Sequence, residues 1–243
     1  MIKKKYILII GLTLFSFSIN AQKAMKLKPT KHVNVTIPEP SDICYDSKTD
    51  TFFIVSDAGG LFETDKNCKV IRKQPQDGAD FEAVSSDGTF VYAVDETNRT
   101  IYKYDIKTLK LIKTYVIPYN GARNKGYESF DFDKALNKYV LITESNPAIL
   151  FELDTEFKVT NQTDISAIAK DISSARFYDG FLWLLSDEDM MLLKLNPTTF
   201  EVLKKWSLPV INPEGLAFDK DGNILISCDD MQRVYYFNNP EKK

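Results

Sequence analysis

Histidine is almost missing from this chain: among 243 residues there is one, His32. That scarcity excludes Ser-His-Asp and Cys-His nucleophilic arrangements around an internal site, and with them most hydrolase mechanisms. Cysteine is nearly as scarce. Cys44, Cys68 and Cys228 are an odd number, and none has a Cys or His at metal-ligand spacing. A disulfide scaffold and a structural zinc are therefore excluded, and the three read as small buried hydrophobes with at most one bridge among them. No glycine-rich loop joins a strand to a helix, which leaves nucleotide and dinucleotide binding without support. The lysines are scattered, no basic patch interleaves with aromatics, and the formal charge is -3. Nucleic acid is set aside as a partner on those grounds.

Long apolar runs are also wanting, with one exception. Lys3, Lys4 and Lys5 precede an apolar stretch over residues 6–17, followed by Ser18-Ile19-Asn20-Ala21. A charged start, an apolar middle and a small residue at the end form a signal peptide, expected over 1–21. The stretch is too short for a permanent anchor, and no cysteine near the cut offers a lipid attachment point. An exported N-terminal segment over 22–31 and a domain over 32–240 are expected to remain, about 220 residues in all, with a charge near -6 once the three leader lysines are gone. No membrane span is expected after cleavage. The expected location is the periplasm or the exterior, and the expected state a monomer.

What is present is a repeat. One pattern returns five times: an acidic or hydroxyl residue, a small residue, then alternating apolar positions ending at or near Asp. The clearest copy is Pro213-Glu214-Gly215-Leu216-Ala217-Phe218-Asp219, followed by Tyr127-Glu128-Ser129-Phe130-Asp131-Phe132-Asp133 and Phe81-Glu82-Ala83-Val84-Ser85-Ser86-Asp87. Weaker copies begin at Pro40-Ser41-Asp42 and Ile172-Ser173-Ser174. Their leading positions, Ser41, Glu82, Glu128, Ser173 and Glu214, are spaced 41, 46, 45 and 41 residues apart. Each copy precedes a second apolar run that closes on an acid, such as Phe52-Phe53-Ile54-Val55-Ser56-Asp57, then a third run and, in four copies, a fourth. Alternation, β-branched and aromatic content, and Asp-Gly, Asn and Pro boundaries make these strands. Four strands in about 43 residues is the size of a propeller blade. The spacing predicts an all-β, five-bladed β-propeller of four-stranded blades. The last unit lacks a fourth strand, and residues 33–37 stand unpaired before the first, so the N-terminal strand is expected to pair with the last blade and close the ring.

In such a ring the innermost strands start at one mouth of a central channel, which brings Glu82, Glu128 and Glu214 together with Ser41 and Ser173. Carboxylates about 6 Å apart repel by roughly 3 kcal/mol per pair at an effective dielectric near 20. A cation, protonation, or a protein counter-charge could offset this, and Arg176, on an inner strand, is the candidate counter-charge, with Asp131 as a partner. All-oxygen donors suit a hard ion, and calcium fits an irregular oxygen cage better than magnesium. The acids ending the second strands, Asp57, Asp95, Glu96, Glu144, Asp187, Glu188, Asp229 and Asp230, form a second set that reads mainly as turn acceptors, with Asp187 and Asp229 preferred as additional ligands. Trp183 and Trp206 read as core, and Asp133, Asp154 and Asp219 as turn formers.

These residues resemble a known family. Glu128-Ser129-Phe130-Asp131-Phe132-Asp133, Thr143-Glu144-Ser145-Asn146-Pro147, Asp171-Ile172-Ser173, Leu184-Leu185-Ser186-Asp187-Glu188 and Asn212-Pro213-Glu214-Gly215-Leu216-Ala217 are similar to the SdiA-regulated family of bacterial envelope proteins, and more distantly to NHL-repeat propellers. The resemblance implies a five-bladed propeller with calcium at a shared site. It carries onto Glu128 and Glu214, and onto Glu82, where Ala83 and Ser85-Ser86 depart from the usual pattern. The metal ligands expected are thus Glu82, Glu128, Glu214, Asp187 and Asp229. The function expected is a calcium-binding propeller that takes a small ligand or an envelope protein at a channel mouth without catalysis; a metal-dependent hydrolase of lactonase or phosphoesterase type is the alternative.

Overall fold

The computed structural model describes residues 24–122 and 125–242. The leader expected over 1–21 lies outside the described residues. Blade one comprises Pro40–Asp46, Thr51–Ser56, Gly60–Thr64 and Val70–Gln74; blade two, Phe81–Ser86, Phe90–Asp95, Thr100–Asp105 and Leu111–Val116. Blade three holds Tyr127–Asp133, Lys138–Thr143, Ile149–Leu153 and Val159–Asp164, and blade four Ser174–Tyr178, Phe181–Ser186, Met191–Leu195 and Val202–Ser207. Pro213–Phe218, Ile224–Cys228 and Arg233–Phe237 form blade five with Lys31–Asn34 as its outer strand. Strands within each blade pair antiparallel in order, and each inner strand packs on that of the next blade, the fifth on the first. The result is a five-bladed β-propeller. Among the described residues no helix is long and apolar enough to cross a membrane.

The turns follow from local chemistry. Asp133 accepts hydrogen bonds from the N–H groups of Ala135 and Leu136, Asp154 from Glu156 and Lys158, and Asp219 from Asp221 and Asn223. These are Asx turns, as read from the sequence. The second strands are buried along nearly their whole length because both faces of a blade are covered by neighbours. Apolar clusters therefore sit between blades. Phe53, Val55 and Leu61 of blade one pack with Phe81, Val84 and Val91 of blade two. Trp183 and Trp206 stack at 5.3 Å within the cluster joining blades four and five. The three cysteines are buried and free, so no bridge forms.

Closure is by Lys31–Asn34, antiparallel to Arg233–Phe237 with Val33 opposite Val234. The paired stretch begins two residues before the expected 33–37 and ends earlier, because Val35 and Ile37 leave the ladder to fill the core between blades five and one. His32 lies on this strand, exposed, its ring 5.6 Å from Tyr235. Met25–Lys26 adds a contact that sequence did not suggest, pairing parallel to the outer strand of blade four opposite Trp206 and Ser207. The N-terminal segment thus ties two blades together. Deleting residues 24–34 would open the ring edge, and the whole domain is expected to melt about 10 °C or more lower in one transition. Calorimetry checks this; two separate transitions, with most blades unaffected, would count against it.

Gly215 shows how tightly the axis is packed. A Cβ there would stand 2.2 Å from the Ser227 hydroxyl and 2.7 Å from the Asp42 backbone. Only glycine lets the inner strand of blade five approach blade one this closely.

Candidate functional site

The inner strands do not simply begin at the mouth; four of them begin with a bulge. Pairing slips between Pro40 and Asp42, Phe81 and Ala83, Tyr127 and Ser129, and Pro213 and Gly215. The extra residue in each case is Ser41, Glu82, Glu128 or Glu214, the leading position of the repeat. A bulge leaves its extra residue out of the ladder and re-aims its side chain, which here brings it to the channel. Ser173 stands just ahead of its strand in blade four, its N–H donating to the Leu185 carbonyl at 3.0 Å.

These positions open on a cavity of about 360 Å³. All five residues expected as ligands, Glu82, Glu128, Glu214, Asp187 and Asp229, line it. From the second acidic set Asp57, Glu96 and Glu144 join them, whereas Asp95 caps a turn by accepting from Asn98 at 2.8 Å and Asp230 accepts from Asn212 at 2.5 Å. The tightest grouping among the described residues is Glu96, Glu128 and Glu144, each offering an oxygen within 4.8 Å of the others. Only Glu128 is common to this grouping and the expected ligands. The inner-strand glutamates are distributed around the axis, whereas Glu96 and Glu144 flank Glu128 from the second-strand ends of blades two and three. Gly126 helps set this: its N–H donates to Glu96 at 2.8 Å, and a Cβ there would meet the Glu96 carbonyl at 2.3 Å.

The two serines act differently from the glutamates. Ser41 donates its hydroxyl to the Phe81 carbonyl, and Ser173 donates to the Pro213 carbonyl at 2.8 Å. Each thus fastens the residue just before the bulged glutamate of the following blade. Sequence reasoning gave Glu39 and Asp171 no role, yet both line the cavity. Asp171 accepts from the Ser186 hydroxyl at 2.6 Å and from the Asp187 and Glu188 N–H groups, so it holds the loop that carries Asp187. A signal was available: an acid stands two positions before the leading residue at Glu39, Asp80 and Asp171.

Arg176 does not neutralise this cavity. It lies deeper in the channel, where it donates to the Asp42 carboxylate at 2.6 Å and to the carbonyls of Ile43, Val84, Phe130 and Ala175 at 2.6–3.1 Å. Its hydrogen-bonded partner is Asp42; Asp131 instead accepts from the Ser85 hydroxyl at 2.6 Å and the Phe177 N–H at 2.7 Å. Burial opposes the Arg176 charge, but the carboxylates of Asp42 and Asp131 hold it cationic. Lys125 is the single cation among the described residues lining the acidic mouth, and it is paired with Glu144.

The carboxyls respond accordingly. Glu128 and Glu82 are half-exposed, but only to a cavity that protein surrounds, so loss of bulk water is the leading reason their pKa values rise well above the ordinary range. The charges of neighbouring acids push them further. Burial, then Asp229 and Asp187, pushes Glu214 up to about 8. Burial, then a hydrogen bond with Glu39, takes Asp57 to about 7, and burial with Asp171 and Asp229 takes Asp187 to about 6. A raised carboxyl keeps its proton in the folded state while the unfolded chain releases it, so stability falls as pH rises from the unfolded value to the folded one. Without a cation the melting temperature is expected to drop by about 5 °C or more between pH 5 and 8. Calorimetry in chelator tests this, and a rise over that interval would contradict it.

Comparison with known proteins agrees with this architecture. The sequence pattern described as SdiA-regulated matches residues 18–237. No curated protein matches the chain. Among solved structures, the glutaminyl cyclase of Myxococcus xanthus superimposes with a TM-score of 0.73 at 13% identity, over 89% of this chain and 98% of that one. A protein of unknown function from Bacteroides caccae aligns with a TM-score of 0.52 at 11% identity, over 79% of this chain and 70% of that one. At these identities the likeness is one of fold.

Proposed function

The chain belongs to the SdiA-regulated family, and from the geometry of its acidic mouth we propose that it is an exported propeller that holds a calcium ion among the channel carboxylates and binds a small ligand or an envelope protein at that mouth, without catalysis. The observation that carries this reading is the convergence of Glu82, Glu96, Glu128, Glu144 and Glu214 on one cavity while Arg176 is committed to Asp42. Every acidic donor there is oxygen, and no histidine or cysteine lines the cavity. That donor set fits a hard cation of irregular coordination. Glu96, Glu128 and Glu144 would hold it, with Glu82 and Glu214 beside them and Asp187 and Asp229 at the outer edge. A bound ion would supply positive charge that offsets the carboxylate repulsion. The bulges and the Ser41 and Ser173 hydrogen bonds keep these side chains in place.

The test is a calcium titration of chelator-treated protein followed by melting temperature and calorimetry, with magnesium as comparison. The expected result is a saturable rise with calcium and a smaller one with magnesium. No change with either ion overturns the reading.

A second reading, a metal-dependent hydrolase, is favoured by one observation: the Glu96, Glu128 and Glu144 grouping opens on a cavity of about 360 Å³, which leaves room for a small substrate beside an ion. Turnover of a lactone or phosphoester by the calcium-loaded protein, abolished in Glu128→Gln, would establish it in place of the first.

A further inference from the structure

The other ends of the inner strands enclose a second cavity, of about 600 Å³. It is separated from the acidic mouth by Arg176, which forms part of its floor. That volume is in the range of small-molecule sites. Two features of the lining are independent of each other. First, five aromatic residues from four blades, Tyr45, Phe132, Phe177, Tyr178 and Phe218, line it, and Tyr178 and Phe218 are held stacked at 4.1 Å. Second, the carboxylates of the lining outnumber its cations.

Charge narrows the ligand further. The lining carries six carboxylates, Asp46, Asp87, Asp131, Asp133, Asp179 and Asp219, against three cations, Lys48, Lys134 and Arg176. Asp46 and Asp133 are buried in their turns, while Asp179 is exposed and Asp87 and Asp219 are half-exposed at the rim. A negative rim above aromatic walls favours a positive group over a negative one. We propose that this mouth is a second binding site, for a small organic cation with an aromatic body: the body lies against the aromatic residues of the wall, and the positive group faces the rim carboxylates. The site does not depend on an ion in the acidic mouth.

Three probes share one body and differ in charge: phenylalaninamide, the neutral N-acetylphenylalaninamide and the anionic N-acetylphenylalanine. Isothermal titration of the chain is expected to show phenylalaninamide binding about fivefold or more tighter than the neutral probe, and the anion weakest. Tyr178→Ser, which removes a wall, should weaken phenylalaninamide by about tenfold. Because that variant could lose stability, Leu136→Lys serves beside it. Leu136 is 50% exposed and lines the same cavity, so a positive charge there leaves the core untouched and should weaken the cation severalfold. Glu128→Gln, at the opposite mouth, should leave binding unchanged. Absence of binding by all three probes, an anion bound as tightly as the cation, or loss of binding in Glu128→Gln with retention in Leu136→Lys each overturns the proposal.

Discussion

Glu128→Gln is expected to abolish the calcium-dependent rise in melting temperature while leaving the metal-free protein as stable as before, or more so. The reason is the asymmetry between the two states. Without a cation Glu128 is enclosed by protein, and Glu82, Glu96, Glu144 and Glu214 all press its pKa upward. Replacing it by a neutral amide of the same shape relieves that repulsion and leaves no charge to desolvate. With calcium the balance reverses, because the substitution removes the one carboxylate shared by the inner ring and the Glu96 and Glu144 pair. Loss of one charged ligand should weaken calcium by about 100-fold, roughly 3 kcal/mol. Differential scanning calorimetry with and without calcium reads both halves. A variant that keeps the full calcium response would place the ion elsewhere or remove it altogether.

Arg176→Met is expected to be among the most destabilising single substitutions in the chain. One guanidinium joins the inner strands of blades one, two, three and four by donating to Asp42 and to four carbonyls. Its removal leaves the Asp42 carboxylate fully buried with no charged donor, held by neutral ones such as the Val84 N–H and the Ser174 hydroxyl. Breaking a buried pair from one side costs about 3–5 kcal/mol. For a domain of this size that is a fall in melting temperature of about 6–20 °C. Arg176→Lys should rescue little, since an ammonium keeps the charge but cannot span the same acceptors. Pairing Arg176→Met with Asp42→Asn should recover part of the loss, because the stranded charge is gone. A double variant less stable than the single one would show that the charge pair is not what Arg176 contributes.

Much of this architecture is legible in the sequence. The leading positions of the repeat mark blade starts, and the missing fourth strand together with an unpaired N-terminal segment implies ring closure. Asp133, Asp154 and Asp219 read as turn formers and are turn formers. Both tryptophans read as core and are core. Less legible were contacts set by neighbouring blades. Nothing local distinguishes Asp131 from Asp42 as the partner of Arg176; the choice depends on which inner strand faces which across the axis. Nor does Met25-Lys26 carry a strand signal of its own, since it is ordered by the edge of blade four.

Repetition is a local property, and it is why sequence alone sufficed for the number of blades, their strands and the end of the channel to which the acids belong. Period-two alternation and turn chemistry act within a few residues, and five copies of them leave only one way to arrange the sheets. The aim of each side chain is different in kind. Bulges at Ser41, Glu82, Glu128 and Glu214, the commitment of Arg176 to Asp42, and the grouping of Glu96 and Glu144 around Glu128 were decided by packing between residues far apart in the chain. Electrostatic free energy depends on those distances and on exclusion of water, and both exist only once the ring has closed.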